Sequence, residues 1–220
     1  MNESGTPSLS ELLARLTPDR LSRMRHAADC RMGGLTVALE SLYDPGNRAA
    51  VYRTAEAFGL LDVHVINRDA GQKPVARLVS RGTEKWLNLI DHATTTDAIR
   101  SFRERGLRIF GAAMEGTQSL WQLPFDAPSV LVFGNEHRGL SDEMLTACDT
   151  VFHIPMYGLA ESLNISNAAA IAVAHGRQAR EKALGAKTDL SAAQREILFE
   201  DYVRRTARWL KPAASPLDAD

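Results

Sequence analysis

Short apolar runs of strand length recur along the chain and alternate with longer stretches of helical pattern, and this alternation restricts the fold more than any other feature. The runs fall at residues 35–39, 63–66, 86–90, 107–112, 130–133 and 151–154, most of them separated by helical segments. Strands that alternate with helices are joined by crossovers, so the pattern implies an α/β fold with a mostly parallel sheet and flanking helices. The 220 residues, 45% of them hydrophobic, suffice for one well-buried domain with short helical additions.

Those additions read as basic helical extensions at both ends. The expected divisions are an N-terminal arm over 1–34, a core domain over 35–183 and a C-terminal helix with an acidic tail over 184–220. Thr17 before Pro18 reads as a helix cap and first turn, and Arg20, Arg23, Arg25 and Arg31 follow. An alanine-rich helix is expected from Asn164 to Ala183, turning basic at Arg177, Arg180 and Lys182, with its far end in water. Ser191 and Gln194 form a capping box for a last helix that presents Ile197, Leu198, Tyr202 and Trp209 among Arg195, Arg204, Arg205 and Arg208. Residues 212–220 read as a frayed tail.

Composition removes several function classes. A formal net charge of −1 supplies no global attraction to RNA, so any such affinity must come from local clusters of arginine and lysine. Cys30 and Cys148 are the only cysteines, too few for a disulfide framework or a thiolate zinc site. The histidines fall at no spacing typical of a metal site, and no metal is expected. With a polar start and no apolar run of membrane length, a cytoplasmic protein free of membrane anchorage is expected.

Three segments carry possible chemistry. In DPGNRAAVYRTAEAFG, from Asp44 to Gly59, Asn47 sits near a helix start and Arg53 in its second turn. A helix N-terminus beside a guanidinium suits an anion, although spacing alone favours a cap and a surface arginine. In VLVFGNEHRGL, from Val130 to Leu140, a buried strand runs into a loop with Gly134, Glu136 and Gly139, where ligands bind in open α/β sheets. Neither G-x-G-x-x-G nor G-x-x-x-x-G-K-[ST] occurs, which argues against a nicotinamide enzyme or a phosphate-loop NTPase. In IPMYGLAESLNISNAAAIAVAH, from Ile154 to His175, Ser162, Asn164, Ser166 and Asn167 gather at a helix start. They serve equally well as caps or as the lining of a pocket for a neutral heterocycle.

Taken together and in this order, the PGN…RTAEAFG, FGNEHRGLS and IPM…SLNISNAAA stretches resemble the SPOUT class of RNA methyltransferases, specifically the tRNA (guanosine-2′-O)-methyltransferase branch often called TrmH. The resemblance covers about 35–180. It implies a C-terminal trefoil knot in the parallel α/β fold, S-adenosylmethionine (AdoMet) as cofactor, tRNA as partner and a homodimer with the site near the subunit interface. The residues 165–174 would contribute to that contact. It further implies Asn47, Arg53, Glu136, Ser162 and Asn164 as catalytic-site residues, and Ala112, Gly134, Ile154 and Leu163 as cofactor-binding positions. The implied reaction is 2′-O-methylation of a tRNA ribose, at the D-loop guanosine of position 18. The alternatives are a methyltransferase acting on ribosomal RNA and a non-catalytic RNA-binding module. A guanidinium stays protonated in proteins, so Arg53 is expected to hold a phosphate or a developing oxyanion rather than to act as the base.

Overall fold

The computed structural model describes residues 7–67 and 82–207. Its sheet contains β1 (Leu35–Glu40), β2 (Asp62–Ile66), β3 (Asn88–His92), β4 (Arg108–Ala112), β5 (Gln118–Ser119), β6 (Ser129–Phe133) and β7 (Thr150–His153). All pairings are parallel, in the order β3-β2-β1-β6-β4-β7-β5. The six expected strands are present, with β3 two residues later than its apolar run suggested because Glu84–Trp86 wind into a 3-10 turn. The two-residue β5 has no sequence pattern to announce it.

Period-two alternation sorts each strand between two helical layers. Val37 and Leu39 of β1, Val63 and Val65 of β2, and Leu131 and Phe133 of β6 face α3 (Pro45–Ala57) and α6 (Ile165–Leu184), meeting Val51, Ala55, Ala169, Ala172 and Val173. Ala38, Ile66, Val130 and Val132 point the other way, onto Ala98 and Phe102 of α4 (Thr95–Glu104) and Met144 of α5 (Asp142–Ala147). Asp44 caps α3 by accepting the Gly46 N–H, Pro45 takes the first helical position, and Asn164 caps α6. Gly185 ends α6 with φ at 64°, a left-handed turn that glycine adopts without steric cost.

Three arginines expected at the surface are core residues. Arg31 is 1% exposed and donates to the Glu56 and Leu60 carbonyls and to the Glu56 carboxylate. Arg180, 3% exposed, pairs with Asp189 and donates to the Phe125 carbonyl, while Asp189 also accepts the Gly33 and Gly34 N–H groups. Arg177, also buried, donates to Glu181 and the Lys187 carbonyl. Arg177 and Arg180 are therefore packed rather than solvated, because their guanidiniums satisfy backbone carbonyls that apolar side chains could not, while Lys182, Ala183 and Leu184 at the far end of α6 are exposed as expected.

The α4 face also buries two histidines. Arg105 donates to His64 Nε2 at 3.2 Å, and His64 Nδ1 lies 2.8 Å from His92 Nε2. Arginine has only donors, so His64 Nε2 must accept and its Nδ1 must carry the proton that His92 receives. Burial, then the neighbouring His92 and Arg105, push His64 down to about 3, with Asp62 opposing. Burial lowers His92 as well. An unfolded histidine titrates near pH ~6.5, so below that pH the unfolded chain binds a proton that the folded one refuses. Stability present above this pH is lost as pH falls toward the folded value, at about 1.4 kcal/mol per pH unit for His64. Urea unfolding is expected to show roughly 2 kcal/mol lost between pH ~6.5 and ~5 through His64, and a shallower slope in His64→Gln. An unchanged slope in that variant would assign the acid sensitivity to other groups.

Helices α1 (Leu9–Ala14), α2 (Pro18–Asp29) and α7 (Ala192–Ala207) form a second compact unit. Thr17 caps α2, and Ser191 with Gln194 caps α7 as the sequence pattern suggested. Leu198 and Tyr202 are buried together with Phe199 and Val203, whereas Ile197 is exposed. The basic character of the unit is largely neutralised within it: Arg25 pairs with Glu196, Arg195 with Asp29, Arg23 with Asp19, Arg204 with Glu200 and Arg205 with Asp201. Arg208, Trp209 and the 212–220 tail lie outside the described residues.

Candidate active site

A parallel sheet delivers all its carboxyl ends to one edge, and the chain reverses its direction of travel across this sheet between β1 and β6. The carboxyl-end edge at such a switch point is where open α/β sheets bind ligands. The segment after β1 leads into α3 and carries Asn47, and the loop after β6 carries Gly134 and Glu136. Ala112 ends β4 and Ile154 follows β7, so Ala112, Gly134 and Ile154 occupy the ends of three neighbouring strands.

The segments after β1 and β6 interlock. Asn135 and Gly139 exchange backbone hydrogen bonds at 3.0 and 2.9 Å, folding 135–139 into a tight hairpin whose turn uses Gly139 at φ 63°. Asn135 Nδ2 donates to the Ser41 carbonyl, and its Oδ1 accepts the His137 and Arg138 N–H groups. Ser41 itself sits at φ 55°, a left-handed conformation that costs a serine on the order of 1 kcal/mol or more. The Asn135 bond on its carbonyl and the Ile66 carbonyl on its amide hold it there.

Three of the expected catalytic residues form one hydrogen-bonded chain. The Glu136 carboxylate accepts the Tyr43 N–H at 3.0 Å, the Asp44 N–H at 3.2 Å and Asn47 Nδ2 at 3.0 Å. Asn47 Oδ1 accepts Asn164 Nδ2 at 3.1 Å, and Asn164 Oδ1 accepts the Ser166 N–H and hydroxyl. A carboxylate cannot donate, so Glu136 dictates which end of the Asn47 amide faces it, and Asn47 in turn orients Asn164. Burial alone would raise the Glu136 carboxyl, but the hydrogen bonds from Asn47 and the Tyr43 and Asp44 amides together hold it below the usual carboxylate range. Asn164 is thus both a helix cap and a member of this chain.

The remaining expected residues are placed differently. Arg53 is exposed, six residues and about 9 Å of helix rise beyond Asn47, and its side chain makes no hydrogen bond or ion pair to any described residue. Ser162 is exposed and likewise without a hydrogen bond to a described residue. Leu163 is 36% exposed at the end of a loop in which Met156, Tyr157 and Leu159 also face outward. Ala112 and Ile154 pack partly against the main core, and Gly134 is buried. Sequence reading passed over Asn135, Ser141 and Glu40. The position of Ser141 before Asp142 and Glu143 is a legible helix start, and Glu40 is a charge closing an apolar strand.

The SpoU rRNA Methylase family model matches residues 34–174, the whole of the parallel sheet and both interlocked segments. The chain belongs to the SpoU rRNA methylase family. Among its relatives, the tRNA (guanosine(18)-2'-O)-methyltransferase of Thermus thermophilus is 34% identical over 168 residues, 76% of this chain and 86% of that protein. The Aquifex aeolicus TrmH/SpoU tRNA modifying enzyme superposes with a TM-score of 0.74 at 25% identity, covering 88% of this chain and 98% of that one. The SpoU methyltransferase AviRb of Streptomyces viridochromogenes, solved with the cofactor AdoMet, matches with a TM-score of 0.61 at 26% identity over 76% of this chain and 65% of that one. Among the described residues of this SpoU family member, no group of three or more His, Cys, Asp or Glu side chains could hold a metal ion. None of its described helices is long and apolar enough to cross a membrane.

Proposed function

We propose that this chain transfers the methyl group of AdoMet to a ribose 2′-hydroxyl of tRNA, at guanosine 18, the site in the name of its 34% identical Thermus relative. The observation that carries the reading is the hydrogen-bonded chain from Glu136 through Asn47 to Asn164, with Asn47 on the helix that also displays the Arg53 guanidinium, engaged by no described residue.

The residues at the strand ends fit the cofactor. Ala112, Gly134, Ile154 and Leu163 are uncharged and offer backbone amides and apolar surface, as an adenosine requires. AdoMet would supply a methyl group on a sulfonium, which departs as a neutral thioether and needs no protonation. The protein is left to align the ribose oxygen and assist loss of its proton. Arg53 holds the nucleotide phosphate or the developing alkoxide. Asn47 and Asn164 present amides whose orientation Glu136 sets, and Ser162 stands at the rim of the same loop. The protein acts as a cytosolic homodimer in this reading. The exposed apolar side chains of Tyr157 and Leu159 support a second subunit, which would cover them.

The test is methyl transfer from labelled AdoMet to unmodified tRNA transcript and, separately, to ribosomal RNA, followed by mapping of 2′-O-methyl groups. Label at the ribose of guanosine 18 in tRNA is the expected result. Label confined to ribosomal RNA would replace the substrate, and AdoMet binding without transfer to either would leave an RNA-binding module.

A further inference from the structure

Glu40, the last residue of β1, has a fully buried side chain. A carboxyl group shut away from water is costly unless donors replace its hydration. Oε1 accepts Thr95 Oγ1 at 2.8 Å and Ser141 Oγ at 2.6 Å, and Oε2 accepts the Ser141 N–H at 2.8 Å. Ser141 directly follows the loop after β6 and caps α5, so its Oγ also accepts the Met144 N–H and its rotor is fixed.

The arrangement is reciprocal. Glu40, at the start of the segment after β1, grips the base of the loop after β6. Glu136, on that loop, grips the Tyr43 and Asp44 amides of the segment after β1. Packing contributes little between these anchors: His137, Arg138 and Gly139 are exposed, and Asn135 and Glu136 are half-buried. The loop's position therefore rests on its polar anchors and on the buried Gly134 and Leu140 at its ends.

We propose that Glu40 is a positioning residue for methyl-donor binding: through Ser141 it fixes the height of the 134–140 backbone against the ends of β4 and β7. This rests on the reading that the 134–140 loop contacts AdoMet. Thr95 binds the same carboxylate from α4, sharing Oε1 with the Ser141 hydroxyl but belonging to a helix rather than to the loop, so its hydroxyl serves as an internal control.

Glu40→Gln keeps the side-chain volume but offers one acceptor oxygen where the carboxylate offered two to the Thr95 hydroxyl and the Ser141 hydroxyl and N–H. Ser141→Ala removes the hydroxyl that ties the loop base to Glu40, and Thr95→Val removes only the tie to α4. By calorimetry, AdoMet affinity is expected to fall about fivefold or more in Glu40→Gln and Ser141→Ala, the effect of one lost buried hydrogen bond. It should stay within about twofold of wild type in Thr95→Val and Ser141→Thr, which spare the loop contact. Amide exchange over 135–141 should rise in the first pair and not in the second. Equal affinity losses in Glu40→Gln, Ser141→Ala and Thr95→Val, tracking their melting temperatures, would overturn the proposal, as would wild-type affinity and exchange in Glu40→Gln. A wild-type protein that fails to bind AdoMet overturns the functional reading instead, and amide exchange then decides by itself whether Glu40 holds the loop.

Discussion

Arg53→Ala is expected to lower the single-turnover rate of methyl transfer by roughly 100- to 1000-fold, the range for losing one charge stabiliser at a reacting oxygen. AdoMet binding should change little. The guanidinium is exposed and engaged by no described residue, so its removal leaves no orphaned partner and empties no core, and folding stability should stay within about 0.5 kcal/mol of wild type. Arg53→Lys should retain more activity than Arg53→Ala, because the charge survives, and less than wild type, because an ammonium lacks the planar fork that engages two oxygens. The pH dependence separates charge-holding from proton abstraction. A lysine acting as base would give a rate that climbs through the alkaline range, whereas a lysine holding charge would not. An Arg53→Ala rate equal to wild type, at saturating AdoMet and tRNA, would exclude both roles.

Gly134→Ala should abolish AdoMet binding at any practical concentration while leaving a folded protein. A Cβ at this position would lie 2.2 Å from the Gly139 carbonyl carbon, 2.3 Å from the Leu140 nitrogen and 2.4 Å from the Gly139 oxygen, all backbone atoms. The hairpin cannot yield locally, because Asn135 and Glu136 tie one end to residues 41–44 and Ser141 ties the other to Glu40. The whole loop must lift, at a stability cost of about 1–3 kcal/mol for overpacking. Gly139→Ala is the informative contrast. Its Cβ would meet open space and its cost is only the left-handed φ of 63°, about 1 kcal/mol. Calorimetry on both variants checks the argument: AdoMet affinity in Gly134→Ala matching that of Gly139→Ala would remove the loop from the cofactor site.

Gly134 is a residue whose structural role the sequence left open. A glycine after a buried strand suggests close approach of backbone to a ligand, and here the backbone that approaches it is the protein's own Gly139 and Leu140. The same holds for Asn47 and Asn164. Either could be read as a helix cap, and spacing offered no means of joining residues 117 apart in sequence through one hydrogen bond. The cap of α3 proved to be Asp44, which released the Asn47 amide for Glu136.

What the sequence determined by itself was the periodic part. Alternating apolar runs specified parallel strands between helical layers, and the caps at Thr17 and Ser191 marked helix starts, because both signals are local and depend on spacings of a few residues. The three motif stretches, taken jointly, also pointed to the methyltransferase family that the family model then matched. Tertiary structure alone decided which polar groups are buried. Arg31, Arg177 and Arg180 carry the composition of a basic surface, yet they lie in the core because backbone carbonyls and carboxylates converge on them, from distant segments for Arg31 and in part for Arg180, and from the turn after α6 for Arg177. Glu40 and the His64–His92 pair follow the same rule: a charged or titratable side chain enters the interior only where folding assembles its donors and acceptors, and those partners come from other strands and helices of the chain.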